Sequence, residues 1–115
     1  MCFEKDDNEG VIDRFISKIT NFSFFQENNK TISSNLKDIK GELMIVSQFT
    51  LAGVTDKGNK PSFHRAAGTK KANFLYSLLI ERLRDSGIRF QSGVFGSDID
   101  VYSVNSGPVN FLFRI

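Results

Sequence analysis

The chain has 115 residues, 40% of them hydrophobic and 24% charged, with a formal net charge of +2. That length is one domain, residues 1–115, with a modest core, and the net charge by itself decides nothing about partners. A single cysteine, Cys2, excludes an intrachain disulfide.

No apolar run approaches the roughly 20 residues that span a bilayer. Met1 leads straight into Glu4-Lys5-Asp6-Asp7 rather than a basic-then-apolar leader, so a cytoplasmic protein is expected. Asp6 or Asp7 is positioned to cap a helix, with Glu9 in its first turn. Val11, Ile12, Phe15, Ile16 and Ile19 then recur at helical spacing and give it one apolar face. Phe22 to Phe25 reads as a short strand, Glu27-Asn28-Asn29-Lys30 as a polar turn, and Thr31 to Ser34 as a weak returning strand. After a connector ending at Gly41, Leu43-Met44-Ile45-Val46 is a continuous apolar run, the pattern of a strand covered on both faces.

Residues 52–68 hold Gly53, Gly58, Pro61 and Gly68 and read as a long loop. Thr69 suits the N-cap of a second helix, whose stripe is Ala72, Leu75, Tyr76, Leu79 and Leu83 and whose end is Gly87. Ile88 to Gln91 is a short strand, and Gly93 and Gly96 bracket a turn. Asp98 to Val104 alternates as a strand does, and Val109 to Ile115 reads as a final strand. Twelve phenylalanines without a tryptophan point to a Phe-rich core. The sum is an α+β fold: a curved, mostly antiparallel sheet or partial β-barrel with two flanking helices.

Chemistry-bearing residues are sparse. His64 is the only histidine, so any nucleophile-base-orienter triad depends on it alone; it reads as a surface loop residue. Asp6-Asp7 and Asp98-Asp100 read as a helix cap and a solvent-facing strand edge. One histidine and one cysteine are too few for a soft-ligand metal site, and neither metal nor cofactor is expected. Between Lys57 and Lys71 lie Lys57, Lys60, Arg65, Lys70 and Lys71 with no acid, either a solvated face or a phosphate-collecting loop.

Two strings remain. Ser47-Gln48-Phe49-Thr50-Leu51 ends a buried strand, where backbone N–H groups run out of ladder partners. It is either a strand end in water or a cradle for a developing oxyanion. Asn105-Ser106-Gly107-Pro108-Val109 is either a plain turn or a rigid backbone able to approach a ligand closely.

The chain resembles the D-aminoacyl-tRNA deacylases. The matching blocks, in order, are Glu4 to Asp7, Gly41 to Leu51, Lys60-Pro61-Ser62-Phe63, Gly93-Val94-Phe95-Gly96 and Asn105 to Val109. The resemblance implies hydrolysis of the ester between tRNA and a D-amino acid, with glycine also accepted, and a homodimer with active sites at its interface. It implies catalytic roles for Gln48, Phe49 and Thr50 and substrate binding by Ser47, Gly107, Pro108 and Val109. The Gly107-Pro108 bond is implied to be cis, a backbone chirality filter reaching into the partner's pocket. The chemistry is implied to come from backbone groups and the tRNA's own ribose hydroxyl. Lys57, Lys60 and Arg65 are the residues placed against tRNA phosphate. Asn110 stands where family members carry Thr, and the strands that usually precede the Glu-Lys-Asp-Asp block are missing before Glu4. An open sheet edge beside the Ser47 strand is the expected consequence. The competing readings are a catalytically impaired protein that binds the tRNA 3′ end, and a dimerisation module with no nucleic-acid role.

Overall fold

The computed structural model describes residues 1–26, 31–107 and 109–115. Among the described residues two helices and four short strands carry the fold, in the order α1 (Gly10–Asn21), β1 (Ser23–Gln26), β2 (Ile32–Asn35), β3 (Leu43–Ile45), α2 (Thr69–Asp85) and β4 (Phe90–Ser92). The fold is α+β, as the element pattern implies. The turn expected at 27–30 lies outside the described residues.

The apolar stripes of the two helices face each other. Val11, Ile12 and Ile19 of α1 meet Leu75, Tyr76, Leu79, Ile80 and Leu83 of α2, with Phe3 and Ile45 closing the cluster. Ile12, Leu79 and Leu83 are 0% exposed; each such side chain contributes about 1.5–3 kcal/mol by leaving water. Thr20, also buried, donates its hydroxyl to the Ile16 carbonyl (2.8 Å), so its burial leaves no polar group unpaired. Arg82 of α2 ties the helix ends together, reaching Asp13 Oδ2 (2.8 Å) and the Glu9 carbonyl (3.2 Å).

Helix α1 starts later than Asp6 or Asp7. Asp7 instead accepts the Glu4 N–H (2.8 Å), while Asn8 Oδ1 accepts from Gly10 (2.9 Å) at the true start. Helix α2 has Gly68 as N-cap, one residue before Thr69, and Gly87 follows its end at φ +72°.

The phenylalanines do not form the core: Phe3 is the one that is fully buried, and the interior is Ile, Leu, Val and Tyr. Phe22, Phe24, Phe111 and Phe113 form a separate cluster with ring centroids 4.9–6.1 Å apart. It fastens the C-terminal segment to the end of α1, and an edge-to-face aromatic cluster packs well while staying partly wet.

The sheet is less continuous than the alternation suggests. Strands β1 and β2 pair antiparallel with an irregular register. Strands β3 and β4 pair in parallel, Leu43 with Phe90, Met44 with Gln91 and Ile45 with Ser92, because α2 is the crossover that returns the chain in the same direction. Among the described residues these are two separate two-stranded sheets, and no barrel closes. Strand β3 is covered on one face only: Ile45 is buried, but Met44 is 62% exposed. Residues 98–104 and 109–115 form no ladder, and Tyr102 and Val104 are 92% and 98% exposed. Alternation gives a segment two faces; it does not supply the neighbour whose N–H and C=O groups make a strand. No helix among the described residues is long and apolar enough to cross a membrane.

Candidate active site

Beyond β3 the chain leaves the ladder. Met1 runs beside it, its amine donating to the Val46 carbonyl and its own carbonyl accepting from Gln48 N–H (2.7 Å). The chain then winds into a 3-10 turn, Phe49–Ala52, closed by Leu51 N–H to Gln48 O (3.3 Å). The N–H groups of Phe49 and Thr50 lead this turn, so they have no partner within it. Of the successive donors expected from the string, Gln48 is therefore already taken, and Phe49 and Thr50 remain.

A cavity of about 730 Å³ opens at this point. Ser47, Gln48 and Phe49 line it from the strand end, Gly68, Thr69 and Ala72 from the start of α2, and Val94 to Ile99 from the segment after β4. Phe49 meets Phe63 edge-on at 4.9 Å, so two aromatic rings form one wall. Thr50 is exposed on the turn and outside the lining.

Tyr76 forms the floor. Its ring is buried in the helix stripe, 5.7 Å from Phe95, and its hydroxyl lies 3.0 Å from the Gly93 carbonyl and 3.3 Å from that of Ile45. Gly93 N–H also donates to Ile45 O (2.9 Å). One phenol thus clamps the ends of both parallel strands directly beneath the Ser47 string. Burial pushes this phenol above the ordinary tyrosine range, so it stays a neutral donor throughout the physiological range. Burial likewise pushes the Cys2 thiol upward, leaving a poor nucleophile at the cavity's edge.

The second string sits apart. Gly107 and Val109 are exposed and outside this chain's cavity lining. Asn105 Nδ2 donates to Asn110 Oδ1 (2.9 Å), a side-chain clasp across the base of the segment. Pro108, and with it the expected cis bond, lies outside the described residues.

The basic loop is split in role. Val54 and Ser62 exchange backbone hydrogen bonds (2.8 and 3.0 Å), which pinch the loop and hold Lys57 and Lys60 exposed beyond the neck. Arg65 is turned inward: its guanidinium reaches both carboxylate oxygens of Glu4 (2.9 and 3.0 Å), and each side chain is about one-third exposed. Glu4 answers the missing acid from outside the segment, and the pair fastens the N-terminal residues to the loop. Lys71 donates to the Lys5 carbonyl (2.6 Å). His64 is exposed, its Nδ1 2.8 Å from Ser62 Oγ.

Sequence reasoning placed Tyr76 in a helix stripe and Asp98 on a strand edge, and neither in a site. Tyr76 belongs to one because the strands it clamps are remote in the chain. Asp98 lines the same cavity, two residues after Gly96 at φ +73°.

Residues 1–114 match the protein family described as D-Tyr-tRNA(Tyr) deacylase. Two curated relatives are each named D-aminoacyl-tRNA deacylase. That of Pseudoalteromonas translucida is 43% identical over 108 residues, 94% of this chain and 74% of the relative. That of Geotalea daltonii is 43% identical over 111 residues, 96% of this chain and 74% of the relative. A solved structure named c-Myc DNA Unwinding Element Binding Protein matches with a TM-score of 0.85 at 34% identity, over 95% of this chain and 74% of that one. Another, a probable eukaryotic D-amino acid tRNA deacylase, matches with a TM-score of 0.68 at 17% identity over 84% and 73%, and bears on the fold alone.

Proposed function

The chain belongs to the D-Tyr-tRNA(Tyr) deacylase family, and we propose that the cavity beyond β3 is where it hydrolyses the ester joining a D-amino acid to tRNA. The observation that carries this is the strand end itself. Ser47, Gln48 and Phe49 line the cavity, and the N–H groups of Phe49 and Thr50 have no partner in their turn.

The ester carbonyl sits against those two donors. As a water oxygen adds to the carbonyl carbon, the charge on the carbonyl oxygen grows, and rigid donors bind it more tightly than the ground state; one such donor contributes about 10²–10³ in rate. Collapse breaks the acyl–oxygen bond, the ribose hydroxyl leaves with a proton, and the amino acid leaves as the carboxylate. The Ser47 hydroxyl and Gln48 amide bind the terminal ribose and base, while the Phe49–Phe63 wall supplies a stacking face. Lys57 and Lys60 contact phosphate, while Arg65 is held by Glu4.

The working unit of this reading is a homodimer. Exposed Phe49 and Val94 support it, since both line the cavity and leave apolar surface there. Gly107, Pro108 and Val109 of one subunit then enter the other's cavity, consistent with the absence of Gly107 and Val109 from their own. Their backbone occupies the space an L side chain needs; glycine, lacking one, is also accepted.

The test is purified protein with one tRNA charged by matched D- and L-amino acids. Release of the D-amino acid with little release of the L-form is expected. Equal rates would contradict the chirality filter, and retarded tRNA without release would favour the binding-only reading.

A further inference from the structure

We propose a second ligand site, for a phosphate group, at the pole of the molecule opposite the ester cavity. It goes beyond the hydrolase reading and does not depend on it. A cavity of about 310 Å³ opens where β3 and β4 begin and α2 ends. Leu36, Lys37, Lys40 and Gly41 line one side, and Ser86 to Arg89 the other. The ester cavity lies at the other ends of the same three elements. The length of α2, about 25 Å at the usual helical rise, therefore separates the two. Among the described residues lining the second cavity, three are cations and none is a carboxylate.

Lys40 sits in a strained turn. Gly41 N–H donates to Leu36 O (2.9 Å) and Lys40 N–H to Lys37 O (3.1 Å), the paired closure that ends many helices. Glycine is the usual residue at the position Lys40 takes, because φ there is +51°. No other non-glycine among the described residues has φ in this region. A lysine where glycine would relax the backbone points to a use for its side chain. Its ammonium has no partner among the described residues, while its carbonyl is held by Arg89 Nη2 (3.2 Å). Lys37 gives one proton to Asn21 Oδ1 (3.1 Å) and keeps two donors. Glu42 answers Arg89 (2.9 Å), so two of the three positive charges have no ion pair among the described residues. The end of α2 does not need them. Ser86 bonds Leu83 O through both its N–H (3.2 Å) and its hydroxyl (2.7 Å). A phosphate group suits this set, since its several oxygens accept from ammonium and guanidinium donors on different sides. It belongs either to RNA or to a free phosphorylated small molecule. An RNA strand with its 3′ end in the ester cavity reaches this pole within about seven phosphates at about 3.4 Å each.

Two titrations test the site. In one, inorganic phosphate is added to isotope-labelled protein and the amide resonances of Gly41, Ser86, Gly87 and Ile88 are followed. In the other, uncharged tRNA is bound across a range of salt concentrations. The variant is Lys40→Gly, which removes the ammonium and suits the φ of the turn. The control is Arg14→Ala, the same loss of charge on the exposed side of α1 and outside the lining. Saturable shifts are expected in the wild type, and Lys40→Gly should weaken phosphate about tenfold, as loss of one charge-assisted contact does. If RNA supplies the phosphate, Lys40→Gly also flattens the plot of log affinity against log salt by about 0.7–0.9. Weakened phosphate with an unchanged slope assigns the site to a free phosphorylated ligand. No change in either titration, or equal changes in Arg14→Ala, overturns the site. Hydrolysis enters neither readout, so an inactive wild type would contradict the hydrolase reading and leave this site to be decided by its own titrations.

Discussion

Tyr76 shows how a single side chain sets the site. Its ring belongs to the core and its hydroxyl to the cavity floor, so one residue transmits helix position to the strand ends. Replacing it with phenylalanine keeps the packing and removes the clamp. Ile45 O retains its bond from Gly93 N–H, but Gly93 O loses its donor. We expect Tyr76→Phe to cost about 1 kcal/mol in stability, read from the denaturant midpoint. It should lower kcat more than it changes KM, because the donors at Phe49 and Thr50 shift against the transition state rather than against bound tRNA. A variant of full kcat would show that the strand ends hold their place without the phenol. Arg65 and Asp98 differ in their charge environment. The arginine in the basic loop is neutralised by Glu4, whereas the aspartate at the cavity wall pairs with none of the described residues.

At the level of elements, the two helices and the strand that delivers Ser47 were legible because periodicity reports burial directly. Ile12, Leu75, Leu79 and Leu83 recur at helical spacing and are all in the core. Residues 98–104 and 109–115 misled for the same reason. Their alternation is real, but pairing depends on a neighbour that local pattern cannot name. The Ser47 string was legible as a strand end, whereas its 3-10 turn, which singles out Phe49 and Thr50 as donors, was not. The phenylalanines were misplaced because burial preference does not distinguish a core from a surface aromatic cluster; Phe22, Phe24, Phe111 and Phe113 make the latter. The loop beyond the Val54–Ser62 neck keeps two exposed lysines and so carries its own prediction. Changing Lys57 and Lys60 together to Ala should weaken all tRNAs alike. It should also flatten the plot of log affinity against log salt by about 0.7–0.9 for each lost phosphate contact. An unchanged slope in a filter-binding titration would make the loop a solvated face.

The whole molecule joins these pieces around one cavity. A helix pair supplies the rigid base, the parallel β3–β4 unit points two strand ends at the same space, and a bridged loop with Phe63 and the turn at Val94–Ser97 form its sides. Phe49 and Val94, both in the lining, leave exposed apolar surface on the cavity wall. The central claim is that the ester is broken at the end of β3, against the backbone of Phe49 and Thr50. A crystal structure with a D-aminoacyl adenosine analogue, its ester replaced by a non-hydrolysable amide, tests it most directly. The account predicts the carbonyl oxygen about 2.7–3.1 Å from the N–H nitrogens of Phe49 and Thr50, with the adenosine near Gln48. An analogue bound elsewhere, or bound here with its carbonyl facing away from both donors, would contradict it.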